Sequence, residues 1–281
     1  MERIGVIGLG RMGTAIAQRL SAQGHRVTGW TRSGRAAEGV PLAATLREVA
    51  EACDALVLSL LNDAAVAETL DALMENDLSG KIIIETSTVV PTLLKNRIPA
   101  LVATGCSAVD APISGGPEMV AAGTCGVFIG GTDADVTRAK AVIDSFAGRA
   151  FHVGPLGAGL VMKTINNAML QTYFAGLRDM LPLAKRAGLS LETVIGIIAG
   201  GPAGTPMLQD RGPKILGQDT GVGFAVSAAN KDNDVFRRVA QSYGLPTPTL
   251  TLAQTAWEYA IAAGLAEHDI AAMLTHSFDE A

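Results

Sequence analysis

Three features of the chain predict an α/β domain followed by an all-α domain. Short apolar runs alternate with helical periodicity over the first half. A glycine motif directly follows the first of those runs. After Gly159 no strand pattern appears and helical patterns take over.

The strands are read first. Ile4–Ile7, Val27–Trp30, Ala55–Leu60, Ile82–Glu85, Ala108–Ala111, Gly126–Ile129 and Phe151–Val153 are short and rich in apolar or β-branched residues. Each is bounded by Gly, Asp, Asn or Pro. Helical stretches such as Thr14–Ala22 and Ala64–Met74 lie between the early ones. Such alternation predicts a mainly parallel sheet covered on both faces. Leu160–Arg186 then reads as one long helix, which Pro182 should bend or break by removing a backbone donor. Further helices are predicted over Leu191–Ile198, Ser227–Ser242, Leu250–Ala263 and Ile270–Phe278. The tract from Gly200 to Pro206 reads as a loop. The boundary falls near residue 160, giving domains 1–160 and 161–281, the second including the long helix.

Bulk properties narrow the class. The chain has 281 residues, enough for two domains with cores of their own. Of these, 48% are hydrophobic and 17% charged, and the net charge is −5. The 22 basic residues do not cluster, so neither nucleic acid nor a membrane surface is an expected partner. Cys53, Cys106 and Cys125 are widely separated, which suggests no disulfide framework or zinc site and points to a reducing, cytoplasmic setting. No secretory signal is read at the N-terminus, and no apolar run suggests a membrane span.

Gly8-Leu9-Gly10-Arg11-Met12-Gly13 leaves the first strand and opens the first helix. Gly8 permits the tight turn, Gly10 lets a pyrophosphate approach, and Gly13 lets the helix pack on the sheet. The helix N-terminus offers N–H groups and partial positive charge to phosphates, as in a Rossmann-type dinucleotide-binding domain. At the end of the second strand, Thr31-Arg32-Ser33 stands where an NAD site carries an acid for the ribose hydroxyls. No acid occurs before Glu38. Arg32 suits the 2′-phosphate of NADP, so NADP is the expected cofactor, with NAD as the other option. A solvated arginine in a turn would look the same.

Two further clusters carry chemistry. In Asp110-Ala111-Pro112-Ile113-Ser114-Gly115-Gly116-Pro117, Ser114 and the two glycines can offer a hydroxyl and successive N–H groups to a carboxylate. The run reads equally as a plain Gly-Pro turn. Lys163, Asn166 and Asn167 follow the glycine run Gly154–Gly159 and share one helix face. Beside a nicotinamide, the ammonium could donate a proton to a carbonyl oxygen and an amide could hold that oxygen. The bland alternative is a surface lysine with polar neighbours. The four histidines show no metal spacing and no nucleophile triad.

With these motifs in this order, the chain resembles the β-hydroxyacid dehydrogenase family, over essentially its whole length. The resemblance implies a Rossmann domain joined by a long helix to a helical domain, assembled as a dimer or tetramer. It implies that Lys163 is the acid/base and that Asn167 helps hold the substrate. Ser114, Gly115 and Gly116 match the substrate-carboxylate loop. Thr88, in Glu85-Thr86-Ser87-Thr88, matches a hydroxyl near the nicotinamide, and Leu61-Asn62 matches the turn beside the cofactor. Lys231 of Lys231-Asp232 matches a lysine that closes over the cofactor. Three departures stand out: Leu61-Asn62 replaces the usual Leu-Pro, Thr31-Arg32-Ser33 replaces Asn-Arg-Thr, and Pro182 interrupts the long helix.

The expected activity is interconversion of a short β-hydroxyacid and its semialdehyde or keto form. Imine reductases share the architecture but usually carry Asp or Tyr at the lysine position. A non-catalytic NADPH-binding scaffold would be expected to lose that lysine.

Overall fold

Each predicted strand is present in the computed structural model, which describes residues 1–281. The chain divides into two units, residues 1–164 and 165–281.

The first unit runs β1 (Arg3–Ile7), α1 (Arg11–Ala22), β2 (Arg26–Trp30), α2 (Leu46–Ala52), β3 (Ala55–Leu58), α3 (Asp63–Leu73), β4 (Ile82–Glu85), α4 (Thr92–Lys95) and α5 (Ile98–Ala103). It continues through β5 (Ser107–Asp110), β6 (Ile113–Ser114), α6 (Pro117–Ala122), β7 (Cys125–Gly130), α7 (Asp133–Ile143), β8 (Ala147–Gly154) and the first residues of α8 (Ala158–Arg186). The sheet order is β2-β1-β3-β4-β5-β7-β6, with β8 beside β7. The five strands from β2 to β5 are parallel, whereas β7 is antiparallel to β5 and β6 and parallel to β8.

Both faces of the parallel part are covered, which explains its continuous apolar runs. Side chains alternate: Ile4, Val6, Val57, Ile82 and Ile84 join Ile16 and Leu20 in one core, while Ile7, Leu56, Leu58 and Ile83 join Val49, Val66 and Leu70 in the other. Strand β3 stops at Leu58, two residues earlier than its apolar run, because the Leu60 N–H donates to Ser87 Oγ at 2.8 Å instead of continuing the ladder. The thiols of Cys53, Cys106 and Cys125 are unpaired and buried in this unit. Burial raises all three pKa values, those of Cys106 and Cys125 to about 11.

The second unit holds the rest of α8 and α9 (Leu191–Gly200), α10 (Pro206–Ile215), α11 (Val226–Ser242), α12 (Pro248–Ala262) and α13 (Ala271–Asp279). Its core gathers Phe174, Leu181, Leu208, Val226, Trp257 and Met273. The Gly200–Pro206 loop is shorter than its composition suggests. Gly200 ends α9, and Pro206 opens α10 at a position where a missing N–H is harmless, behind the Thr205 cap. No helix is long and apolar enough to cross a membrane.

Of the bend or break expected at Pro182, the break does not occur: α8 runs on through it. The missing N–H of Pro182 leaves the Arg178 carbonyl without its usual helical donor. Ser277 Oγ of α13 donates to that carbonyl at 2.6 Å. The helix is repaired from outside itself.

Candidate active site

The parallel strands β2, β1, β3, β4 and β5 bring their C-terminal ends to one edge, where ligands of such sheets bind. Gly8 takes φ +97°, and a side chain there would strike the Ser59 carbonyl. A Cβ at Gly13 would strike Gly8 O, so this glycine is needed for close helix–strand packing. A Cβ at Gly10 would meet nothing within 4 Å. Gly10 caps α1 without a side-chain bond, and no acid occupies the first turn. Open space before an N-terminus uncapped by any side chain fits a pyrophosphate. Leu9 is buried and Met12 packs against the core, so both side chains point inward, whereas Arg11 is exposed.

The flanking turns are also placed. Thr31 Oγ1 and Ser33 Oγ lie 3.4 Å apart. Arg32 is exposed and pairs with Glu68 of α3 at 3.2 Å. Leu61 is 74% exposed, and Asn62 Oδ1 accepts from Ala65 N–H at 3.0 Å as the cap of α3. Thr88 is buried in the turn after β4. That turn is laced to its neighbours: Thr86 Oγ1 donates to Leu58 O at 2.6 Å, and Ser87 N–H donates to Glu85 Oε1 at 2.6 Å.

After β5, Lys163 Nζ donates to Ile113 O at 2.8 Å, and only 8% of the residue is exposed. The next three residues are Ser114, Gly115 and Gly116. Ser114 pairs in register with Gly126, Gly115 has φ +138°, and Gly116 caps α6. The Glu118 carboxylate folds back over Gly116, in the space a Cβ would fill. The Lys163 ammonium is therefore joined by one hydrogen bond to the strand residue that leads into the glycine loop.

Two buried carboxylates lie beneath this cluster. Asp110 accepts from the N–H of Gly157 and, at 2.8 Å, from that of Leu160, at the start of α8. Its register partner on β4 is Glu85. Burial pushes Asp110 up to about 6 and Glu85 up to about 7, and Glu85 Oε2 has no hydrogen-bond partner. Neither residue was singled out by the sequence patterns as a functional group. The signal was present: Glu85 ends an otherwise all-isoleucine strand, and Asp110 opens the glycine loop motif.

In the second unit, Asn167 follows Lys163 by one turn of α8 and accepts from Asn166 Nδ2 at 2.9 Å. Lys231 of α11 pairs with the largely buried Asp232 at 2.7 Å. A cavity of about 540 Å³ also occurs in the first unit, lined by Ile98, Val102, Cys106, Thr132 and Leu156 among others. It contains none of the predicted site residues.

Residues 3–154 match the domain family described as the NAD binding domain of 6-phosphogluconate dehydrogenase. Residues 157–277 match the one described as NAD-binding of NADP-dependent 3-hydroxyisobutyrate dehydrogenase. The mitochondrial 3-hydroxyisobutyrate dehydrogenase of Drosophila melanogaster is 29% identical, over 95% of this chain and 87% of its own. The NAD-dependent L-serine dehydrogenase of Pseudomonas aeruginosa is 28% identical, over 96% and 95%. The solved structure of Mycobacterium tuberculosis 3-hydroxyisobutyrate dehydrogenase with L-serine superposes with a TM-score of 0.87 at 26% identity, covering 98% of this chain and 99% of that one. Fold and glycine turn define an oxidoreductase that uses a nicotinamide dinucleotide. The chain belongs to the β-hydroxyacid dehydrogenase family, whose members act on hydroxyacids with NAD(P).

Proposed function

We propose that this enzyme interconverts a short carboxylate-bearing β-hydroxyacid and its semialdehyde, prefers NADPH, and uses Lys163 as the acid/base. The single observation that carries the reading is the fixed, buried ammonium of Lys163 immediately before the Ser114–Gly116 loop. Bound at the glycine turn, the dinucleotide supplies or accepts hydride. Gly10 and the first turn of α1 hold its pyrophosphate, and Arg32 exchanges Glu68 for the 2′-phosphate. Leu9, Arg11, Met12, Gly8 and Gly13 shape that turn. Thr31, Ser33, Leu61, Asn62, Thr88 and Lys231 complete the contacts.

The substrate carboxylate is held by Ser114, Gly115 and Gly116, and the acid side chain of Glu118 must move aside for it. In the reductive direction negative charge grows on the carbonyl oxygen, and Lys163 Nζ stabilises it and delivers a proton. Asn167, one turn further along α8, steadies the same oxygen. The names of the relatives, 3-hydroxyisobutyrate and L-serine dehydrogenases, fit a β-hydroxyacid. Imine reduction is disfavoured because Lys163 occupies a position those enzymes usually give to Asp or Tyr. A passive scaffold gives no reason to keep a buried lysine in place. Ile165, Met169, Met180 and Leu183 of α8 are all more than half exposed, and this apolar stripe supports a homodimer or a larger assembly. Unpaired thiols suit a cytoplasmic setting.

The test follows NADPH oxidation with glyoxylate and with succinic, tartronate and methylmalonate semialdehydes, for the parent and for Lys163→Ala. Loss of a positioned acid lowers turnover about 10²–10⁴-fold on the best substrate. NADPH affinity stays near parental. Lys163→Arg restores little, since a guanidinium holds its proton too tightly to give it up. Near-parental turnover by Lys163→Ala would refute the mechanism.

A further inference from the structure

Lys163 is held through a four-residue segment, Asp110 to Ile113. At one end the Asp110 carboxylate accepts from Gly157 and Leu160, the N–H groups that begin α8. At the other end Ile113 O accepts from Lys163 Nζ, a turn and a half into that helix. Asp110 is itself fixed. It has no exposed surface, and Gly130 and Gly159 lie so close to its carboxylate oxygens that a Cβ at either would collide. A buried anion at a helix N-terminus is favoured by the helix dipole and by the N–H groups it satisfies.

We propose that Asp110 is a positioning residue for the reaction: its ionised carboxylate anchors the start of α8 and so sets Lys163 Nζ against the Ser114–Gly116 loop. This rests on the reading of Lys163 as the acid. Protonated Asp110 can accept less well, so the anchor weakens as pH falls through about 6, the value to which burial pushes this group. The charged groups that face it are few. Lys95 on α4 favours its ionisation, and the charge of Asp110 in turn raises Glu85 on β4.

The experiment measures single-turnover rate and NADPH affinity from pH 5 to 8 for the parent, Asp110→Asn, Glu85→Gln and Lys95→Met. The parent is expected to lose rate below about pH 6 without losing NADPH. Asp110→Asn places an amide donor against a backbone donor. It should lower the rate about 10–100-fold, the scale of a small misplacement of a reacting group. It should also abolish the acid limb, so that parent and variant converge at low pH. Glu85→Gln keeps the limb. Lys95→Met leaves the anchor intact and moves the limb to higher pH, which serves as the readout should Asp110→Asn fail to fold. A parental rate in Asp110→Asn, a lowered rate with the acid limb retained, or an unmoved limb in Lys95→Met would each overturn the proposal. Lys163→Ala run in parallel separates the two ideas. If it is inactive while Asp110→Asn is parental, only the positioning role fails. If it turns over normally, the lysine reading itself fails.

Discussion

At the scale of single residues, the proposed preference for NADPH turns on Arg32. In this structure its partner is Glu68, and both side chains are mostly exposed, so the pair itself adds little stability. A 2′-phosphate offers Arg32 a doubly charged partner instead, worth about 1.5–3 kcal/mol as a charged hydrogen bond. The parent is therefore expected to use NADPH more efficiently than NADH, and Arg32→Ala to narrow the ratio about ten-fold or more. Steady-state kinetics with the two cofactors decides this, and equal efficiencies in the parent would exclude it. Arg32 was legible in the sequence because its place relative to the glycine turn is fixed by chain spacing. Glu68 was not, since it is 36 residues further on and meets Arg32 only because β2 and β3 flank β1. That Lys163 and Asn167 stand one turn apart on a helix was legible from their spacing. The acceptor of Lys163, Ile113 O, is a backbone atom and leaves no mark in the sequence.

At the scale of elements, periodicity located most of the strands and helices to within a few residues, although α10 went unread. The shorter ones carried other signals. Helix α2 is announced by Thr45 and Glu48, where Thr45 Oγ1 accepts from Glu48 N–H and Glu48 reaches back to Ala44 N–H. Helix α7 opens on the same type of cap, Thr132 with Asp135. The two-residue β6 and the reversal at β7 have no local signature, because pairing direction depends on where distant strands lie. Pro182 is instructive, because the break it could cause does not occur. The local rule was sound, but the vacancy it creates is filled by a hydroxyl 99 residues away. Ser277→Ala should destabilise the parent by about 1 kcal/mol and a Pro182→Ala background by much less, a coupling that a double-mutant cycle with urea unfolding measures. Equal losses in both backgrounds would mean that Ser277 Oγ does not serve the proline.

For the whole molecule, the buried carboxylates tie stability to pH. Glu85 and Asp110 bind their protons more tightly in the fold than in the unfolded chain. Their contribution to stability is complete below the ordinary carboxylate range and is lost as pH rises through about 6 and about 7. For Glu85 alone the shift corresponds to about 3 kcal/mol. Asp54, Asp71, Asp77 and Asp219 have lowered values, so their effect falls in a more acidic window. His25, lowered by partial burial, opposes the trend weakly. Urea unfolding should show the parent losing stability from pH 5.5 to 8 and Glu85→Gln losing clearly less. A parent whose stability rises over that range would contradict the assignment. Ionised Asp110 thus lowers the stability of the fold while anchoring α8, a tension common where a group is kept for its position.

The three buried thiols carry a practical consequence. None is more than 3% exposed, and all lie between residues 53 and 125. A thiol reagent therefore meets a silent surface while the first unit stays closed, and reacts at the rate at which that unit opens. Residues 165–281 contain no cysteine, so the reagent is blind to them. Without any added label, the chain keeps a clock for one half of itself, and its tick can be compared with tryptophan fluorescence, which reports on both halves through Trp30 and Trp257.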